Sequence, residues 1–141
     1  MTRNDLFELA RQKGHRVIFT NLTENDAFSA EVDGSCYIAI DTMTPEADEK
    51  EQLAHELGHC EYAGFYSKLT PLNTRARIEY RAKKWQFLKL VPLGELRHAL
   101  RNGITAPWEL AEYFGVSEPF IMNACEYYIN VCGSIIEPDA V

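Results

Sequence analysis

The segment His55-Glu56-Leu57-Gly58-His59 constrains this 141-residue chain more than any other stretch. On a helix, side chains four positions apart share a face with Cβ atoms roughly 5 to 6 Å apart, a gap that two imidazole nitrogens close to about 2.0 to 2.1 Å from one Zn²⁺. Glu56 sits beside that face and can act as general base toward the water such a metal activates. The motif predicts half of a hydrolytic zinc centre, and any fold that uses it must supply the other half.

The length fits one domain able to bury a core without staples, so residues 1–141 are expected to form a single metallopeptidase-like domain. Lys and Arg number 14 against 21 Asp and Glu, a net charge of −7. That balance repels phosphate backbones and argues against nucleic acid as a direct partner. The chain has no apolar run long enough to span a bilayer, so no membrane partner is expected. Its start shows no signal core, so a cytoplasmic location is expected. Cys36, Cys60, Cys125 and Cys132 show neither C-x-x-C pairs nor the density of a disulfide framework, so they are expected as thiols, Cys60 as a packing residue.

The texture of the chain changes midway. Leu6, Leu9 and Ala10 recur at helical spacing within Asp5 to Lys13, and Gly14 ends that helix. Val17 to Phe19, Phe28 to Val32 and Cys36 to Ile40 are β-rich runs, the last two joined across Asp33-Gly34 as a hairpin. After Asp41 the pattern turns helical. Thr44 is the expected N-cap with Pro45 at the first helical position, and the helix carries His55 and His59 until Gly64 stops it. A helix over Arg75 to Val91 follows, with Ile78, Ala82, Trp85, Leu88 and Leu90 or Val91 as its buried stripe. Leu93 to Asn102, Ala106 to Phe114 and Glu118 to Val131 complete the set. The expected fold class is α+β, a small antiparallel N-terminal sheet packed on a mostly helical, zincin-like domain.

A catalytic zinc site needs a third protein ligand and an open position. Glu79, on the next helix, is the best candidate, because a helix hairpin brings the two faces together. Glu61 lies about 200° around the helix from His59 and faces away. Tyr62, Tyr66, Tyr80 and His98 are candidates for an oxyanion donor. Zinc is the metal expected from these ligand types, although Mn²⁺ or Fe²⁺ suits the same set.

Ala54-His55-Glu56-Leu57-Gly58-His59-Cys60, then Gly64-Phe65-Tyr66, Glu79 with Ala82 and Trp85, Leu90-Val91-Pro92-Leu93 and Glu109 to Glu118 together resemble the ImmA/IrrE family of zinc metallopeptidases. The resemblance implies a gluzincin-like site with His55, His59 and Glu79 as zinc ligands and Glu56 as catalytic glutamate. It also implies a helix-turn-helix transcriptional repressor as protein substrate, in a bacterial, phage or mobile-element setting. The chain departs from the common pattern at Arg81, Lys83 and Gln86, which leaves the ligand set intact.

Two other functions compete. Trp108 to Ser117 has helix-turn-helix spacing, but the would-be recognition helix from Ser117 to Glu126 contains no Arg or Lys to meet phosphates or guanine edges. The alternative that keeps the zinc is a catalytically silent module that binds and sequesters a regulatory protein. Glu56 between the two histidines favours turnover.

Overall fold

The computed structural model describes residues 1–23 and 27–133. The elements run α1 (Arg3–Gln12), β1 (Arg16–Thr20), β2 (Ala27–Val32), β3 (Ser35–Asp41), α2 (Glu46–Gly58), a π-helical turn (His59–Ala63), α3 (Leu72–Leu90), α4 (Leu93–Arg101), α5 (Pro107–Phe114) and α6 (Glu118–Cys132). The fold is α+β, with two compact units, Met1–Gln86 and Phe87–Val141.

In the first unit, Thr2 opens α1 through a capping box: its hydroxyl accepts from Asp5 N at 3.1 Å while the Asp5 carboxylate accepts from Thr2 N at 2.7 Å. Leu6 and Ala10, one turn apart, form the buried face of this helix. The β2–β3 connection is the two-residue turn expected from Asp33-Gly34, both residues at positive φ of 51° and 81°. That geometry matches the right-handed twist of the strands it joins. β3 is the central strand, antiparallel to β2 and parallel to β1 from Arg16↔Tyr37 to Thr20↔Asp41.

The sheet is therefore mixed, not antiparallel as expected. Alternation of apolar residues reports which face is buried and carries no strand direction. Parallel pairing needs an intervening crossover, and the β2 arm between β1 and β3 supplies it.

Three further expectations are corrected. Pro45, not Thr44, is the N-cap of α2, with φ −58° and ψ 140° and no side-chain cap. Its ring already fixes φ, so the extended residue that precedes the helix is the proline itself. Glu46, Asp48 and Glu49 offset the missing cap by placing negative charge on the first turn, and Arg3 Nε pairs with Glu49 Oε2 at 2.5 Å. On α3, Leu88 is exposed, whereas Gln86 and Phe87 are buried, as are Ala82 and Leu90. Cys36 and Cys60, expected as thiols, form a disulfide with Cα atoms 5.9 Å apart, inside the usual range for such a bridge. The pairing joins β3 to the π-helical turn, a proximity of the folded chain that their sequence spacing does not announce. Cys125 and Cys132 remain free.

The second unit holds the end of α3 with α4, α5 and α6. Phe87 packs with Phe120 and Tyr127 at ring-centroid distances of 5.3 and 5.5 Å, and Leu96 and Ala99 give α4 its buried face. The Tyr128 hydroxyl donates to Val91 O at 2.7 Å. Burial first, and then the neighbouring Tyr127, Cys132 and Cys125, push its pKa up to about 12. Gly115 ends α5 in the left-handed region at φ 66°, and the Ser117 hydroxyl caps α6 by accepting from Phe120 N at 3.2 Å. Among the described residues, no helix is long and apolar enough to cross a membrane.

Candidate metal centre

α2 lies against β2 and β3 and delivers His55 on its last turn. Its hydrogen-bonding pattern changes at His59, yet His59 keeps helical angles, φ −65° and ψ −45°, so the two histidines still share a face. Their ring centroids stand 5.1 Å apart with planes at 81°. In the π-helical turn, Gly64 N donates to His59 O at 3.0 Å, and Gly64 then leaves the helix at φ 78°, a conformation that glycine adopts without a Cβ penalty. Its own carbonyl thereby comes to face the histidine, and His59 Nδ1 donates to Gly64 O at 2.7 Å.

α3 supplies the rest. Glu79, Ala82 and Gln86 stand at i, i+3 and i+7, one face of the helix, and all three meet α2 or its extension. Ala82 sits on Gly58 so closely that a Cβ there would lie 2.8 Å from the Ala82 carbonyl oxygen and 3.2 Å from its Cα. This contact lets Glu79 reach both imidazoles, with Oε2 2.9 Å from His55 Nε2 and Oε1 3.1 Å from His59 Nε2. Gln86 Oε1 accepts from His55 Nδ1 at 3.4 Å, and Gln86 Nε2 donates to Glu51 O at 2.7 Å. Each histidine thus turns Nδ1 to a carbonyl oxygen and Nε2 to the same carboxylate.

Electrostatics follow from that arrangement. Hydrogen bonds from His55 first and then His59, against the cost of burial, hold the Glu79 carboxyl well below the usual carboxylate range. For His59, burial pulls the pKa down. The Glu79 hydrogen bond, the Gly64 carbonyl and the charges of Glu79 and Glu56 together outweigh it, leaving the pKa raised. Burial and the Glu79 carboxylate raise the pKa of Tyr66, whose hydroxyl donates to Glu79 Oε1 at 3.0 Å.

The donor set fits a divalent ion. Nδ1 of each ring is committed to a carbonyl oxygen, which directs the Nε2 lone pair inward once its proton leaves, the usual orientation of ligating histidines. One atom from each of His55, His59 and Glu79 lies within 4.8 Å of the others. Two imidazoles and a carboxylate match zinc sites that keep an open position.

The three meet beside a cleft of about 360 Å³ lined by Glu56, His59, Phe65, Tyr66, Glu79 and, from β2, Ala27, Phe28 and Ser29. Glu56 is only 8% exposed and borders the same space as two of the three candidate ligands. Glu61 faces away from them, as expected, with Oε1 3.7 Å from His15 Nε2. Of the oxyanion candidates, Tyr66 lines the cleft, Tyr62 and Tyr80 are exposed, and His98 belongs to the second unit.

Sequence reasoning did not find the Gly64 carbonyl, Gln86 or the β2 lining. In the sequence Gly64 marks a helix stop and belongs to the Gly64-Phe65-Tyr66 segment of the resemblance, and neither points to its carbonyl. Gln86 had stood out as a departure from the family pattern, which was the one signal available for it.

None of the curated proteins with which the chain was compared matches it. The family model described as the IrrE N-terminal-like domain, Peptidase_M78, matches residues 10–126, a span that includes His55, Glu56, His59 and Glu79. With that match over most of its length, the chain belongs to the IrrE N-terminal-like family of peptidases.

Proposed function

We propose that this chain is a zinc-dependent metallopeptidase in which His55, His59 and Glu79 hold the ion and Glu56 is the catalytic base. Its target is a peptide bond in a protein of the helix-turn-helix repressor class, the substrate that the family resemblance implies. The observation that carries the enzymatic part is the meeting of two imidazole nitrogens and a carboxylate beside an open cleft that Glu56 also lines.

Bound there, Zn²⁺ supplies Lewis acidity toward a peptide carbonyl and toward water. Glu56 takes the proton of the attacking water on a carboxylate oxygen and passes it to the departing amine nitrogen, so no covalent bond to the protein forms. The one Tyr66 hydroxyl proton is donated to Glu79 Oε1; when that carboxylate takes the ion, the hydroxyl turns from it and donates toward the charge that develops on the carbonyl oxygen. β2 is one edge of the sheet, order β1-β3-β2, and an extended substrate segment adds to such an edge through main-chain hydrogen bonds. Phe28 and Ser29 then contact its side chains.

The test is Glu56→Gln, compared with the wild type by profiling new protein N-termini in cells that express each. The wild type generates a new terminus in a repressor. The variant retains its metal and loses about 10²- to 10⁴-fold in rate. Equal inactivation of the repressor by the variant, with no new terminus, would replace cleavage by sequestration.

A further inference from the structure

A second cluster of metal-binding side chains lies in the first unit, and none of its members belongs to the centre above. His15 follows α1, Cys36 stands on β3 and Cys60 on the π-helical turn, and one ligating atom from each lies within 4.8 Å of the others. Glu61 is beside His15. Its Oε1 is 3.7 Å from His15 Nε2, too long for a hydrogen bond and close to the roughly 3.3 Å that separates two nitrogen or oxygen ligands of tetrahedral zinc. His15 Nε2 is buried with no hydrogen-bond partner, which is costly for a ring nitrogen. Cys36 is buried too, at 6% exposure.

We propose that His15, Cys36 and Cys60 form a second metal site, with the neighbouring Glu61 or a water as fourth ligand, for Zn²⁺ or a similar thiophilic divalent ion, that exists when the Cys36–Cys60 disulfide is reduced. The disulfide and the ion are alternative staples between β3 and the π-helical turn. Thiolates and an imidazole are the ligand types of closed, structural zinc sites, and the lone pair of His15 Nε2 gains the partner it lacks. A dithiol reductant attacks the disulfide and leaves as its own cyclic disulfide: the sulfur–sulfur bond breaks, and two electrons and two protons pass to Cys36 and Cys60. Metal entry then releases the two thiol protons to solvent. Because Cys60 follows His59 directly, either staple anchors the turn that carries His59.

Cobalt is the probe, because only sulfur ligands give a thiolate-to-cobalt charge-transfer band in the near ultraviolet and the His55–His59–Glu79 set contains no sulfur. The chain carries Cys125→Ser and Cys132→Ser so that any thiolate signal arises from Cys36 and Cys60. It is titrated with Co²⁺, and separately with Zn²⁺, with the disulfide intact and again after reduction by a dithiol that is then removed without air. The reduced chain is expected to take up one ion more than the oxidised chain and to show the band, which the oxidised chain lacks. His15→Ala in the reduced chain is expected to weaken the additional ion at least tenfold. The same ion count in both redox states without the band would overturn the site, and unchanged affinity in His15→Ala would remove His15 from it. None of these outcomes depends on whether the chain cleaves a peptide, so this inference and the proposed peptidase activity fail separately.

Discussion

His55 and His59 are each oriented by the ring nitrogen that faces away from Glu79, so the candidate centre extends to Gly64 O and to Gln86. Carbonyl partners of ligating imidazoles typically hold 10- to 100-fold of metal affinity. Gln86→Met keeps the volume and removes the acceptor, and it is expected to weaken zinc binding by about that factor, measured by competition with a chelator. The histidine pair and Glu56 were legible in the sequence because their relation is local, fixed by 3.6 residues per turn. Glu79 has a weaker signal, a carboxylate on the next helix 20 positions after His59. Gln86 and the Gly64 carbonyl were not legible as site groups, since one needs the packing of α3 on α2 and the other is a backbone atom whose direction depends on a π-helical turn.

That packing turns on Gly58. An alanine inside a helix ordinarily gains up to about 1 kcal/mol over glycine. Here its Cβ would meet backbone atoms of α3, which cannot swing aside as a side chain does, and overpacking of this kind costs about 1 to 3 kcal/mol. Gly58→Ala is therefore expected to be destabilising in chemical denaturation and, by moving Glu79 off the imidazoles, to weaken zinc at least tenfold. At the far end of α3, Tyr128 on α6 gives a pH test. Its folded pKa is raised from an ordinary 10 to about 12, so its contribution to stability is fully present below pH 10 and is lost as pH rises toward 12. Tyr128→Phe is expected to cost about 1 kcal/mol at neutral pH through the lost hydrogen bond, and to flatten the fall of the urea midpoint between pH 10 and 12. Helix positions and the Asp33-Gly34 hairpin were legible, being periodic or turn-specific. The direction of β1 was not, because pairing order is decided by what β2 leaves free on β3.

Across the whole chain, texture sufficed to separate a small N-terminal sheet from a helical remainder and so to give the α+β class. It could not pair Cys36 with Cys60, which meet only because α2 runs back across the sheet that β3 centres. The candidate ligands show the same dependence, since His55, His59 and Glu79 are neighbours through the contact of α3 with α2. These three side chains are proposed to share one divalent ion beside Glu56. The most direct measurement is an anomalous-difference map at the zinc absorption edge, from crystals of the disulfide-intact chain loaded with one equivalent of Zn²⁺. A single peak is expected about 2.0 to 2.2 Å from His55 Nε2, His59 Nε2 and a Glu79 oxygen. A zinc peak elsewhere, or one whose coordination omits Glu79, would contradict it.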